Sequence, residues 1–541
     1  MTTNIQLKPF TYWLIIFFVI ACNSSCKNSD NTPHQTAVND SIPESVSITA
    51  ADIAGNFSSQ SSLKADSTIT DSFFTLHPLL RSSEQNLRSF YSRRDYALAW
   101  FDSAGLTELA GNLYNRMQNL QAEGLSTTIP YLDESDSLMG LEDIKDSRQS
   151  ANTDMLLTAQ YFYFANKVWG GMSETSSRKI DWYLPRKNVD YEVFLDSLLL
   201  PGKNHQPHAP VYRQYGLLKT ALKQYTDLAG RNKWPAIIAD KKSYRAGDSS
   251  KTIAEIKNRL WLLGDMTAIS ETGLFDSTLD VAVKRFQQRF GMKEDGIIGM
   301  QMIKELNVPL QKRIEQIVVN IERSRWLPDR MEGNYIAVNI PDFKLLVYDG
   351  DSVLWTMNVV VGKTANKTVI FSGQLKYVVF SPYWNVPKSI LNKEVLPGIK
   401  RNKNYLAAHH MEWNGKSVRQ KPGPWNSLGQ VKFLFPNSHN IYLHDTPLKD
   451  LFKEDNRAFS HGCIRVQNPK KLAQYLLRND PAWTEQRITD AMNSGKEQYV
   501  TLKQTIPVFI GYLTAWVDRQ GSLNFRNDIY NRDSRLAKMI D

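Results

Sequence analysis

Cysteine is almost absent from this chain: 541 residues contain three, Cys22, Cys26 and Cys463. Two of them sit four residues apart near the N-terminus, so no disulfide framework can staple the fold. Stability must come from apolar cores, and a hydrophobic content of 42% is enough to build them. No apolar run is long enough to cross a bilayer, no internal repeat is visible, and no Walker-type or dinucleotide glycine loop occurs. His409, His410, His439, His444 and His461 cluster late in the chain, yet no His-Glu-x-x-His helix pattern or paired-cysteine site accompanies them. These absences argue against a disulfide-rich module, a nucleotide-dependent enzyme and a zinc hydrolase, and they imply neither a metal nor a cofactor. The length predicts roughly three or four domains. The formal charge of +10 suits nucleic acid or an anionic envelope polymer equally well, and location has to decide between them.

The N-terminus speaks to location. Lys8 is followed by a twelve-residue apolar run, Phe10 to Ala21, and then by Cys22. As a helix that run spans only about 18 Å, short of a ~30 Å hydrocarbon core, which fits a cleaved export signal and not a permanent span. Export removes nucleic acid as the main partner. Residues 23–72 carry two basic and six acidic residues among Ser, Asn and Thr, and are predicted to form a flexible tether.

Beyond the tether the hydrophobic period changes twice. Over 73–240 it is helical. Leu157, Tyr161, Phe164 and Val168 share one face of a helix expected to open near Asp154 and close at Gly170-Gly171, and Leu218, Leu222, Tyr225 and Ala229 form a second stripe. Over 241–308 two amphipathic helices carry Ile253, Ile256, Leu260 and Leu263, then Leu279, Val283, Phe286 and Phe290, which suits a small helical bundle. A linking helix is expected within 309–328. From 329 to 541 the period becomes two: Ile336, Val338 and Ile340 alternate, Leu346 and Tyr348 lead into the hairpin signal Asp349-Gly350, a strand over 353–361 follows, and Leu375, Tyr377 and Val379 alternate again.

Chemistry is concentrated in this last region. The strand-like Ile441-Tyr442-Leu443 ends in His444-Asp445-Thr446, and fifteen residues separate His444 from Ser460-His461-Gly462-Cys463-Ile464-Arg465-Val466. A cysteine and a histidine that converge in space form a nucleophile and its base, because the imidazole can take the thiol proton and stabilise the thiolate by becoming imidazolium. Such a pair suits acyl transfer. Gly462 permits close backbone approach, so its N–H and that of Cys463 are the candidates for holding an oxyanion. Asp445 invites a side-chain triad, but neighbours on a strand point to opposite faces, which favours its backbone as the contact to His444.

Several of these motifs resemble known families. Val19-Ile20-Ala21-Cys22 resembles a bacterial lipobox, which implies diacylglycerol on Cys22, a membrane anchor and a periplasm-facing envelope lipoprotein on the inner or outer membrane. Arg245-Ala-Gly-Asp248, Ala282-Val283, Phe286-Gln287, Asp295-Gly296-Ile-Ile-Gly299 and Leu306-Asn307 resemble a peptidoglycan-binding module. The histidine, spacer and Ser-His-Gly-Cys pattern resembles the L,D-transpeptidases with a YkuD-type catalytic domain. The large YcbB-like subgroup is matched by Trp384-Asn-Val-Pro387, Pro422-Gly-Pro424, Leu428-Gly429, Val431-Lys-Phe433, Phe435-Pro-Asn437, Tyr442-Leu-His-Asp-Thr-Pro447 and Arg457-Ala-Phe-Ser-His-Gly-Cys-Ile-Arg465.

The resemblance implies a multidomain α+β architecture: an all-α scaffold, a small helical wall-binding module, and a β-rich mixed-sheet catalytic domain with a capping insertion at about 388–430. Cys463 becomes the nucleophile, His444 the base and the Asp445 carbonyl its orienter. Gly462 and Cys463 become the oxyanion donors, and Tyr442, Ser460, His461, Arg465 and Trp384 line or support the substrate groove. Arg465 stands where smaller members carry Asn. The implied donor is a peptidoglycan tetrapeptide stem losing its terminal D-Ala, the acceptor is an amine, and carbapenems are the implied acylating inhibitors. An L,D-carboxypeptidase, a hydrolase detaching wall-linked protein, and a non-catalytic wall-binding lipoprotein remain open alternatives; a papain-like order is excluded because here the histidine precedes the cysteine. The insertion, with Lys393, Lys400, Arg401, Lys403, Arg419 and Lys421, is expected to act as a mobile cap, its Pro-Gly-Pro run serving as a stiff foot. Oligomeric state leaves no mark in the sequence.

Overall fold

The computed structural model describes residues 63–102, 104–139, 147–199 and 209–540. The expectations for the export signal, Cys22 and Cys26, and the tether up to residue 62, lie outside the described residues.

Helix begins slightly earlier than the residue pattern suggests. The Asp66 carboxylate accepts from the Thr68 N–H at 2.9 Å and opens helix Ile69–Leu76, so helical structure starts inside the expected tether. Helix Ser147–Ala165 buries Leu157, Tyr161 and Phe164, and the π-turn Asn166–Gly170 that follows buries Val168. Asp154 does not open this helix. It lies within it, its carboxylate accepting from the backbone N–H of Ala99 at 2.9 Å and Trp100 at 2.7 Å and from the Tyr91 hydroxyl. A buried carboxylate needs such donors. Burial still outweighs them and raises its pKa to about 6.

Helix Gln214–Arg231 buries Leu218, Leu222 and Tyr225 and runs against helix Leu310–Trp326. The latter is more than a connector. Its last turns are wholly buried, with Arg323 paired to Asp533 at 2.7 Å and Arg325 to Glu322 at 2.6 Å, while Glu322 also accepts from Trp326 Nε1 and the Met172 N–H. A buried charge persists only when paired in this way.

The small module comprises helices Lys251–Leu262, Ser277–Arg289 and Met300–Leu306 with a ribbon of Ser243–Tyr244 and Ile298–Gly299. Ser250 and Asp276 cap the first two helices. The Gln287 amide donates to Asp295 and Ile297 and accepts from the Gly296 N–H, which accounts for the Phe-Gln and Asp-Gly pairing in the sequence. Arg289 grips Asp265 through two bonds of 2.8 and 2.6 Å, donates to the Leu523 carbonyl, and receives Arg526 on its own carbonyl. The module is thereby fixed to the hairpin Ala515–Val517/Leu523–Phe525.

The strand-rich region closes on itself. Going round, Val431–Leu434, Leu443–His444, Ile464–Val466, Ser352–Gly362, Lys344–Asp349, Asn334–Asn339, Gln498–Gly511 and Ile370–Phe380 are each bonded to the next, and Tyr377–Phe380 pairs back to Val431–Leu434. The mixed sheet forms a ring around Ile336, Val338, Leu345, Val347, Val359, Leu375, Leu443 and Ile464. The hairpin turns at Asp349-Gly350, where Gly350 takes φ +52°. The scaffold strand Trp182–Tyr183 adds in parallel to Ile370-Phe371.

The insertion is not a loop. Trp384–Asn385, Ser417–Gln420 and Met411–Asn414 form an antiparallel sheet backed by helical turns from Lys388 to Arg401, around a core of Val386, Leu391, Val395 and Val418. Arg419 and Lys421 both pair with Glu412 inside it, whereas Lys393, Lys400, Arg401 and Lys403 are exposed. At the foot, buried Asn426 donates to the carbonyls of Pro382 and Lys421, tying together the two chain crossings that enter and leave the cap.

Candidate active site

Strand geometry brings the key residues together. Leu443 points into the core, so Tyr442 and His444 share the opposite face, their rings 5.7 Å apart. The parallel register Leu443↔Ile464 and His444↔Arg465 carries the Cys463 loop alongside His444.

His444 Nδ1 lies 2.5 Å from the Asp445 carbonyl oxygen. A carbonyl only accepts, so Nδ1 carries the proton and Nε2 keeps its lone pair. Burial, then the Arg465 guanidinium, pull the imidazole down to about 3, against the opposing bond to Asp445. The Asp445 carboxylate faces elsewhere, accepting from the Gln430 N–H at 2.9 Å, the Thr446 N–H at 2.7 Å and Lys449. Gly429 is what permits this: at φ +62° a Cβ there would lie 2.3 Å from the Asp445 carboxyl.

Cys463 is half-buried and its Sγ contacts the Asn440 carbonyl at 3.7 Å. Burial pushes the thiol up, while Tyr442 and the positive charge of Arg465 pull the other way. Burial thus favours the uncharged form of both thiol and imidazole, and the cation acting on the sulfur is Arg465. Burial lowers the Arg465 guanidinium, and two of its nitrogens have no hydrogen-bond partner.

The loop itself is cross-braced. Ser460 is buried, its hydroxyl donating to the Cys463 carbonyl and accepting from the Gly462 N–H at 3.1 Å. Ser460 thus closes the loop where a substrate contact was expected, and the Gly462 N–H expected for the oxyanion is occupied. Gly462 takes φ +116°. The exposed His461 ring reaches across to the cap, 3.4 Å from the Glu394 carboxylate. Trp384 pairs with Gln420 in the cap sheet and packs on the cap core.

Residues invisible to motif reading hold this loop from behind. The Thr368 hydroxyl donates to the Gly462 carbonyl and accepts from the Gly362 N–H, both at 2.9 Å. The Tyr530 hydroxyl donates to the Gly362 carbonyl and accepts from the Thr368 N–H. Gly362 has no room for a side chain, since a Cβ would meet the Asn366 carbonyl at 2.1 Å and Gly462 Cα at 3.1 Å. Among the described residues no cluster of three or more His, Cys, Asp or Glu could hold a metal.

Comparison with known proteins adds three domain matches. Residues 333–484 match the family model described as L,D-transpeptidase catalytic domain (YkuD), residues 85–222 match "Scaffold domain", and residues 249–306 match "Putative peptidoglycan binding domain". The chain carries a YkuD L,D-transpeptidase catalytic domain, of an enzymatic family, together with a scaffold domain and a peptidoglycan-binding domain. A curated protein of Haemophilus influenzae, named "Putative L,D-transpeptidase", is 35% identical over 244 residues, covering 41% of this chain and 49% of that protein. The chain thus spans about half the length of the curated relative it matches. Among solved structures, an L,D-transpeptidase from Stackebrandtia nassauensis is similar at 14% identity and TM-score 0.22 over 51% of this chain and 98% of its own. Mycobacterium tuberculosis L,D-transpeptidase 1 is similar at 13% identity and TM-score 0.16 over 33% and 62%.

Proposed function

We propose that this chain is an L,D-transpeptidase that forms an acyl-enzyme on Cys463 with a peptidoglycan tetrapeptide stem and passes the acyl group to an amine, remodelling the cell wall. The observation that supports this most is the 2.5 Å contact of His444 Nδ1 to the Asp445 carbonyl, which leaves Nε2 as the base beside the cysteine loop. The Cys463 thiol adds to the carbonyl carbon between the diamino acid and the terminal D-Ala, and its proton passes to His444 Nε2. Burial disfavours the charged form of both groups, which suits a transfer that accompanies attack. The C–N bond breaks, His444 returns the proton to the departing D-Ala amine, and a thioester remains on Cys463. The acceptor amine then attacks, loses a proton to His444, and the thiol is regenerated.

Arg465 supports the sulfur as it becomes negative, and its unpartnered nitrogens suit a stem carboxylate. Oxyanion stabilisation would rest on the Cys463 N–H, because Ser460 occupies that of Gly462. Tyr442 would form the pocket wall, and the cap, joined to the catalytic loop through Glu394 and His461, would cover the groove. Diacylation at Cys22 would place the enzyme in the cell envelope. The full chain is incubated with tetrapeptide-bearing fragments and the products are weighed by mass spectrometry. Cross-linked or amine-exchanged products that vanish in Cys463→Ala are expected. Loss of D-Ala with water as the sole acceptor would favour the carboxypeptidase reading, and no reaction at all would overturn both.

A further inference from the structure

A cavity of about 310 Å³ opens between the outer face of the closed sheet, the scaffold and the C-terminal hairpin, within the size range of small-molecule sites. It is not the catalytic groove: Val353 lines it, whereas Val361, at the other end of the same strand, pairs with Ala458 beside the cysteine loop.

Its wall is aromatic, and most of its free side-chain polar groups can donate. Tyr335 and Tyr348 face each other across neighbouring strands with rings 4.6 Å apart and only 6° from parallel, and Phe509 stands edge-on to Tyr335 at 5.9 Å. Ala337 and Gly511 keep the space between them open. Most side-chain acceptors along the wall are engaged: Asn339 by the Leu513 backbone, Gln214 by Val517, one oxygen of Asp342 by Arg526, and Asp518 by its own turn. On the donor side, the buried Trp182 Nε1 has no partner. Among the described residues the hydroxyls of Tyr212, Tyr335 and Tyr348 and the guanidinium groups of Arg213 and Arg519 have none either.

A cavity that offers flat apolar faces, phenols and two unpaired cations complements a ring rich in acceptors. The geometry points to a binding site for an anionic saccharide, a sugar ring bearing a carboxylate or a phosphate, resting against the tyrosine pair with its charge toward Arg213 and Arg519. Phenols suit sugar hydroxyls because they both donate and accept. The site goes beyond the transpeptidase reading and uses none of its residues.

Isothermal titration of the full chain tests it with N-acetylmuramic acid, N-acetylglucosamine 1-phosphate and uncharged N-acetylglucosamine. The two anions should bind, and the uncharged sugar should bind about tenfold more weakly, the equivalent of one good charge contact. Which anion binds tighter separates a wall-derived sugar acid from a sugar phosphate. Arg519→Gln should erase the preference for charge. Ala337→Leu, which fills the cavity floor, should abolish binding while Cys463 is still acylated by a carbapenem. If that variant fails to fold, the exposed Arg519→Gln decides alone. Absence of binding by both anions, unchanged binding in both variants, or binding of 4-hydroxybenzoate with N-acetylmuramic acid silent would overturn the assignment.

Discussion

Thr368→Val removes one hydroxyl and almost no volume, and it tests whether the cysteine loop is held in place from behind. That hydroxyl serves two backbone groups at once, accepting from the Gly362 N–H and donating to the Gly462 carbonyl, in a position fully shielded from solvent. Each buried group left unpaired costs about 1–3 kcal/mol. With partial relaxation the two together amount to about 2–3 kcal/mol, which for a domain of this size lowers the melting temperature by about 4–12 °C. The effect on chemistry should be separable, because the bond lost lies one residue from the nucleophile. Acylation of Cys463 by a carbapenem, followed by stopped-flow fluorescence, should slow by about tenfold or more, corresponding to ~1.4 kcal/mol or above. Thr368→Ser keeps the hydroxyl and should recover the rate to within a few-fold while losing the methyl packing. A valine variant that melts and acylates like the parent would refute the bracing role, and a serine variant as slow as valine would assign the effect to the methyl group instead.

Alkylation of Cys463 by iodoacetamide in the resting enzyme should still be accelerating at pH 9, because burial holds the thiol above its ordinary range. Removing the nearby cation with Arg465→Gln destabilises the thiolate and moves the profile to still higher pH; a plateau near neutrality would instead reveal a resting thiolate–imidazolium pair. His444→Ala should slow acylation by about 10²–10⁴-fold, the usual worth of a general base, whereas His439→Ala, whose ring packs against Tyr183 and Phe371, should cost far less; equal losses would mean the wrong imidazole has been assigned. Gly429→Ala forces a side chain into φ +62° and against the Asp445 carboxyl, and calorimetry should register a loss of more than about 1 kcal/mol, with an unchanged melting curve counting against that packing.

The parts of the site that the sequence made legible are those built from neighbouring residues. His444 ends one short strand and the Cys463 loop leads into the next, and strand alternation is local, so the shared direction of Tyr442 and His444 follows from spacing. The helical stripes and the Asp349-Gly350 turn were readable for the same reason. What spacing could not supply is partnership across the fold. Thr368 reaches Gly462 over 94 residues and Tyr530 reaches Gly362 over 168, with nothing in either neighbourhood to mark them. Asp154 has the residue type of a helix cap, and only the chain crossing at Ala99 and Trp100 turns it into an internal acceptor. Ser460 and Gly462 stand correctly in the motif, yet the hydrogen bond between them redirects both from the uses their positions suggested. The cap reads as polar connection because its core is four residues drawn from two separated stretches, Val386, Leu391 and Val395 against Val418.

The pairing of Trp182–Tyr183 with Ile370-Phe371 bears on how the catalytic part can be handled in isolation. Seen from the sheet, those two scaffold residues are a stopper on the first two residues of strand Ile370–Phe380, which Val431–Leu434 does not reach. Cut away with the rest of the scaffold, they would leave an open row of backbone donors and acceptors flanked by Ile370 and Phe371, the kind of edge through which chains polymerise. An expression fragment trimmed to the transpeptidase domain would therefore lose solubility before it lost catalytic groups, and one that retained residues 180–184 in trans as a short peptide would have that edge covered again.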